Sequence, residues 1–330
     1  MRRIGLIAIW QHGNDEMAMV KGVRWLMLLL TLVACLLLGL AMGEQWINPL
    51  CADSPMDKMI LWDLRFPRLL TAFAVGGMLA LAGGWFQVLL GNPLAEPYVL
   101  GVAGSASAGA VTGLMFVPES AWVMSAGAFI GAWVGIVVVL FFSRLGSNRM
   151  LLAGVVLAAF WSALLALLLA LLPEQGLYRA FSWMMGDLSH SDLPVSLLLL
   201  VWTIALLAGL ALSGSLDRLL LGERHAKALG VNVKQLRQRL LLLASAVTAV
   251  AVTAAGTIGF VGLVIPHLMR LLFGSLHRAV LPASAIGGGL LLVLADSAAR
   301  TVIAPAELPV GILTAIIGVP VFLYLLVRRS

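Results

Sequence analysis

The chain has 330 residues, 62% of them hydrophobic and 11% charged, with a net charge of +6 and a mean hydropathy of +1.05. A soluble domain is roughly half apolar and about a quarter charged, so a soluble globular protein is excluded. The apolar residues come in unbroken runs and not in alternation, which excludes an outer-membrane barrel.

What remains is an all-α polytopic membrane protein with enough apolar sequence for on the order of ten spans of about 20 residues. Arg2 and Arg3 precede an apolar stretch, residues 4–10, that is too short to span. The polar run that follows carries no small-residue cleavage pattern, so no signal peptide is expected. Residues 1–24 are therefore read as a cytoplasmic N-terminal segment and 25–330 as the membrane domain.

Spans are expected at about 25–46, 69–90, 99–117, 122–142, 150–172 and 193–212, then at 240–255, 259–273, 280–302 and 308–327. Trp25, Trp46, Trp62, Trp122 and Trp183 fall near their ends, where amphipathic indoles prefer to sit. The stretch 240–273 reads as one long span or as two short ones broken near Gly256, Gly259 and Gly262. Charge decides between them. With ten spans and a cytoplasmic N-terminus, 16 of the 21 Lys and Arg residues lie inside. Only Lys58, Arg65, Arg68, Arg179 and Arg300 lie outside, a positive-inside bias that nine spans would weaken by placing Arg328 and Arg329 outside. The positive net charge then belongs to cytoplasmic loops beside a lipid bilayer, and no nucleic-acid partner is expected.

Small residues recur where helices pack closely in lipid. Gly127, Gly131 and Gly135 share a face of the fourth span, Gly76, Gly77, Gly83 and Gly84 mark the second, and Gly287, Gly288 and Gly289 interrupt the ninth. Plain helix packing explains them. Cys35 lies in a span and Cys51 in an outer loop, with no disulfide framework or thiolate metal site.

Catalytic motifs are missing. There is no Gly-x-x-x-x-Gly-Lys-Ser/Thr loop for ATP and no His-Glu-x-x-His pair, and Ser105 and Ser107 have no nearby histidine. Few ionisable residues lie deep in the spans, against an acidic relay driven by an ion gradient. An intramembrane enzyme and an ion-coupled secondary transporter are thus the weaker readings, and a transporter must borrow energy from a partner.

Three polar features stand out. The longest hydrophilic segment inside, 213–239, carries Leu220, Leu221, Gly222, Glu223, Ala226, Leu229 and Gly230. It reads either as a solvated basic linker or as a short helix whose apolar positions, Leu220, Leu221, Ala226 and Leu229, dock into a groove on another protein. Asn92-Pro93-Leu94-Ala95-Glu96-Pro97 forbids a continuous helix and marks a sharp reversal, with Glu96 free to pair with the basic loop. The outer arginines Arg65, Arg68 and Arg300 run against the charge bias. Snorkelling or an Asp296–Arg300 ion pair four residues apart explains any one of them; together they suit an acidic partner.

At these residues the sequence resembles the permease subunits of bacterial type II ABC importers, the FecCD family that takes up ferric siderophores, haem and cobalamin. The matching pieces are Arg65-Phe66-Pro67-Arg68, Gln87 with Asn92-Pro93-Leu94-Ala95-Glu96-Pro97, Leu151-Leu152-Ala153-Gly154, and Trp183-Met184-Met185-Gly186. They continue through Leu221-Gly222-Glu223 and Leu229-Gly230 to Gly259-Phe260-Val261-Gly262 with Pro266-His267, and Glu307-Leu308-Pro309-Val310-Gly311. The resemblance implies a homodimeric permease in the bacterial inner membrane with both termini cytoplasmic. Two ATP-binding subunits would dock on the coupling residues Leu220, Leu221, Gly222, Glu223, Ala226, Leu229 and Gly230. A periplasmic binding protein would place carboxylates on Arg65, Arg68 and Arg300. Catalytic residues and cofactors are then expected in the partner ATPase, with its ATP and Mg, and none in this chain. The cargo implied is a metal chelate, an iron complex being the commoner one. Glu44-Gln45-Trp46-Ile47 with Pro49 looks instead like the first outer loop of cobalamin importers.

Overall fold

In the computed structural model every described element is helical, and the backbone is described for residues 2–52, 54–117, 120–143, 147–189, 191–304 and 306–327. Arg144, Arg328 and Arg329 of the charge argument lie outside the described residues. Helix α1 (Arg2–Ala41) runs unbroken across residue 24, so the N-terminal segment is not set off from the first span by a break. It stops at Ala41, short of the expected end at Trp46.

Ser54 and Pro55 open α2 (Pro55–Met59), where the Ser54 hydroxyl accepts from the Asp57 N–H at 3.0 Å. A π-helical stretch (Ile60–Arg65) then leads into α3 (Phe66–Leu90). Pro67 has no N–H to offer one turn back, and just before it the ladder widens so that the Phe66 N–H reaches the Leu61 carbonyl. Helix α3 is apolar on all sides and is the centre of the molecule, with Trp85 and Phe86 at 0% exposure. It ends at Gly91, whose φ of 60° lets the Asn92 N–H return to the Gln87 carbonyl at 3.1 Å.

The proline loop and a 3₁₀ turn (Pro97–Leu100) lead to α4 (Val102–Phe116), α5 (Ala121–Ser143) and α6 (Ser147–Leu171). Next come an amphipathic helix between two expected spans, α7 (Glu174–Met184), and α8 (Val195–Leu220). The rest are α9 (Glu223–Ala228), α10 (Val233–Ala255), α11 (Val261–Phe273), α12 (His277–Ala299) and α13 (Val310–Val327). Among the described residues seven helices are long and apolar enough to cross a membrane, and three more apolar ones, α4, α11 and α13, are shorter. About ten apolar helices therefore stand where ten spans are expected. The 13 residues of α11 reach only about 20 Å, less than the ~30 Å hydrocarbon core, whereas the 23 residues of α10 are long enough to cross it.

The glycine expectation is a matter of packing. A Cβ at Gly76 would lie 2.2 Å from the Gly288 carbonyl oxygen, one at Gly83 2.0 Å from that of Gly262, and one at Gly127 2.3 Å from that of Gly109. Backbones thus touch where α3 meets α12 and α11, and where α4 meets α5. Gly287–Gly289 do not interrupt α12, which is continuous through them, with α11 filling the space beside Gly287 and α3 that beside Gly288 and Gly289.

Three further expectations change. The hydrophilic segment 213–239 is mostly helix: α8 extends to Leu220 and α10 begins at Val233, leaving only α9 and its flanks between them. Ser213, Leu216 and Leu219 face inward at helical spacing, which carries α8 beyond its apolar run. Trp183 is no interfacial anchor. It is 7% exposed and packs with Val102, Ala106, Ala249 and Val252.

Glu96 does not reach the basic loop either. Its Oε1 accepts the Phe260 N–H at 2.6 Å, where Phe260 adopts a φ of 68° at the start of α11. Exposed backbone at an interrupted helix must be satisfied by protein, and here it is. The Tyr98 hydroxyl bonds the Ile258 N–H at 2.9 Å and its carbonyl at 3.0 Å, Thr257 donates to the Met184 carbonyl, and the Asp187 N–H reaches the Ala255 carbonyl at 3.0 Å. Pro266 frees the Gly262 carbonyl inside α11, and Gln87 Nε2 donates to it at 3.3 Å.

Candidate functional site

Two ends of the helix bundle carry the candidate residues, and α12 connects them. At its start the His277 N–H and Nδ1 meet Asp217 Oδ1 of α8 at 3.0 and 2.6 Å. At its end stand Asp296 and Arg300, and 23 residues separate the two by about 35 Å.

The structure brings Arg65, Arg68 and Arg300 together, though not as free surface charges. Arg65 is 7% exposed, and its guanidinium donates to the carbonyls of Leu40 and Ala41 at 2.9 Å each and of Gln45 at 2.6 Å. Arg300, also 7% exposed, donates to the Gly39 carbonyl at 3.2 Å and pairs with Asp296 at 3.1 Å. Both therefore cap the carbonyls at the C-terminus of α1, where a cation is favoured. The pairing of Asp296 with Arg300 on one helix is realised, and Asp296 also takes Arg68. Arg68 places Nη2 2.8 Å and Nε 3.0 Å from Asp296 Oδ1, with Asp296 1% exposed. Its remaining nitrogen, Nη1, lies 2.9 Å from Glu307 Oε2.

Glu307 was not among the expected site residues. The available signal was its place as a lone carboxylate in an outer loop close in sequence to Arg300. Burial pushes its carboxyl up, but the charge of Arg68 and hydrogen bonds from Arg68 and Ser189 hold it below the usual carboxylate value. A cavity of about 600 Å³ opens here, lined by Arg65, Arg68, Arg300, Ser189, Glu307 and Glu44 among others.

At the opposite end the coupling candidates divide. Leu220, Leu221 and Leu229 are exposed at 51%, 62% and 53%. Ala226, expected on the same outer face, is fully buried in the main core. It anchors α9 from beneath: the Val231 N–H returns to its carbonyl at 3.0 Å and the Gly230 N–H to that of Lys227 at 3.0 Å. Gly222 and Gly230, at φ 97° and 80°, bracket α9 in left-handed conformations that glycine adopts without strain. Glu223 pairs with Arg237 of α10 at 2.7 Å, fixing the short helix laterally. The result is a braced protrusion with leucines at its flanks.

Comparison with known proteins places this architecture. Residues 27–328 match the FecCD transport family. The vitamin B12 import system permease protein BtuC of Vibrio cholerae serotype O1 is 40% identical over 319 residues, covering 94% of this chain and 96% of that protein. Its counterpart in Vibrio vulnificus is 41% identical, covering 93% of this chain and 96% of that protein. Among solved structures, an inward-facing metal-chelate type ABC transporter matches with a TM-score of 0.84 and 32% identity, covering 93% of this chain and 99% of that one. PsaBC from Streptococcus pneumoniae shares the fold at a TM-score of 0.59 and 19% identity, covering 82% of this chain and 93% of that one. The chain belongs to the FecCD transport family, as a multi-span permease of the ABC importer type.

Proposed function

We propose that this chain is the permease of an ATP-driven importer that moves cobalamin from periplasm to cytoplasm. One observation carries the reading: vitamin B12 permeases match it at 40–41% identity over nearly the full length of both proteins. The exposed loop of Glu44, Gln45 and Trp46 agrees with it, and together they outweigh the greater frequency of iron complexes as cargo.

Two copies form the pathway in the inner membrane, with both termini cytoplasmic. The end bearing Leu220, Leu221, Gly222, Glu223, Leu229 and Gly230 receives the ATP-binding subunits, which hold the ATP and Mg. Ala226 supports that surface from within. The end bearing Arg65, Arg68 and Arg300 receives a periplasmic binding protein. ATP binding and hydrolysis shift α9, and α9 moves the ends of α8 and α10, which it joins; the two permease copies then alternate their access.

The test is uptake into proteoliposomes holding permease, ATPase and binding protein. Cyanocobalamin should accumulate only with ATP inside, and ionophores should leave the rate unchanged. Accumulation of ferric hydroxamates or haemin instead would overturn the cargo. Collapse by ionophores with ATP present would favour an ion-driven carrier.

A further inference from the structure

The guanidinium of Arg68 has two carboxylate partners of different kinds. Asp296 holds Nε and Nη2 from a buried position, its side chain 1% exposed. Glu307 holds Nη1, and its side chain is 44% exposed. Glu307 Oε2 also receives the Ser189 hydroxyl at 3.0 Å. Two donors, Arg68 Nη1 and Ser189 Oγ, thus converge on one carboxylate at the mouth of the 600 Å³ cavity.

The backbone around Glu307 is pinned. The Leu308 N–H bonds the Ala299 carbonyl and the Val310 N–H bonds the Gly186 carbonyl, each at 3.1 Å. Ser189 is held in turn, its N–H donating to Asp187 Oδ1 at 2.7 Å. A rotation of the Glu307 side chain therefore frees both donors without moving the loop. Asp296 has no such freedom. Of the two carboxylates, only Glu307 can leave.

From this geometry we infer that Glu307 is a stand-in carboxylate, occupying the Arg68–Ser189 donor pair that an acidic side chain of the docking protein takes in exchange. The inference rests on the reading of this end as the binding-protein surface. It makes Glu307 a specificity-determining residue: a partner is accepted only if its carboxylate outcompetes the one already present. Between docking events Glu307 keeps Arg68 Nη1 and the Ser189 hydroxyl satisfied, while Asp296 holds the rest of the guanidinium.

The experiment measures capture of the import system's own substrate-binding protein by immobilised complexes carrying wild-type permease, Glu307→Gln, Glu44→Gln, Arg68→Gln, or Arg68→Gln with Glu307→Gln. Glutamine keeps the size and can accept from Ser189 but does not compete as an anion. Glu307→Gln should tighten capture roughly two- to fivefold, the scale of one exposed ion pair. Glu44 lines the same cavity without contacting an arginine, and Glu44→Gln should change capture by less. The gain should vanish when Arg68 is also glutamine.

Unchanged or weaker capture by Glu307→Gln would overturn the exchange, as would an equal gain from Glu44→Gln or a gain that survives loss of Arg68. If Arg68→Gln weakens capture while Glu307→Gln leaves it unchanged, the docking surface stands and only the exchange falls. If Arg68→Gln alone leaves capture intact, the docking reading itself falls. Melting curves of each complex in detergent confirm that a loss reflects docking and not unfolding.

Discussion

At the residue scale, burial changes what a charge is for. Arg65 and Arg300 hold the end of α1 on α3 and α12, so replacing them disturbs the permease before it disturbs any partner. A triple reversal to Glu, the natural test for exposed arginines, would place carboxylates against the carbonyls of Gly39, Leu40 and Ala41. Arg68 and Glu307 are the informative pair for docking. Asp296 is the informative residue for stability, because it is shared by two arginines and almost wholly buried. Removing one partner from a buried pair costs about 3–5 kcal/mol, since the remaining charge is left uncompensated. Asp296→Ala should therefore lower the melting temperature in detergent markedly, while Asp296→Asn, which keeps hydrogen-bond acceptors, should do so less. A melting temperature within a degree of wild type for the alanine variant would show that other groups neutralise Arg68 and Arg300.

At the element scale, α9 shows how a six-residue helix is held in place. Isolated helices of that length do not persist in water. This one is bounded by two left-handed glycines, tied to α10 by Glu223 and Arg237, and seated on Ala226. Leu221 and Leu229 remain outside. If α9 docks on an ATPase as proposed, charge placed on those two positions should spare the fold and break the coupling, because an apolar cleft cannot solvate it. The double variant Leu221→Asp with Leu229→Asp should assemble with normal yield yet lose transport while ATP hydrolysis continues. Ala226→Asp should fail earlier, in yield and in melting, because its carboxylate has no solvent to reach. Transport at the normal rate by the double-leucine variant would make the protrusion a linker.

At the scale of the whole molecule, α3 is the axis. Helices α8, α10, α11 and α12 pack around it, with backbone contacts to α12 at Gly76 and to α11 at Gly83, and Gln87 donates to the α11 carbonyls of Gly262 and Leu263. Orientation can be read chemically from the two cysteines. Cys35 is 5% exposed within α1, whereas Cys51 is exposed in the loop before α2. An impermeant maleimide applied to spheroplasts should label Cys51 and spare Cys35. Labelling of Cys51 in inverted vesicles alone would reverse the orientation and exchange the two proposed docking surfaces.

Much of this was legible along the chain. Apolar runs, glycine spacing and the cation bias report membrane passage because transfer into lipid depends on local composition, and the proline loop after α3 and the break near Gly256 follow from backbone chemistry at single residues. The site was legible only in part. Arg65, Arg68 and Arg300 could be picked out as charges on the wrong side, but not as caps of α1. Glu96 bonds Phe260 and not the basic loop, and Ala226 is buried in this chain's own core.

The reason is distance along the chain. Arg68 and Asp296 are 228 residues apart and Glu96 and Phe260 164 apart, and no local pattern says which buried polar groups will face each other once ten apolar helices have packed. The sequence by itself determined that the chain lives in a bilayer, roughly where it crosses, and which residues are too polar for lipid. The tertiary structure alone decided which of those polar residues satisfy one another and which, like Glu307 and the flanking leucines of α9, remain available to something else.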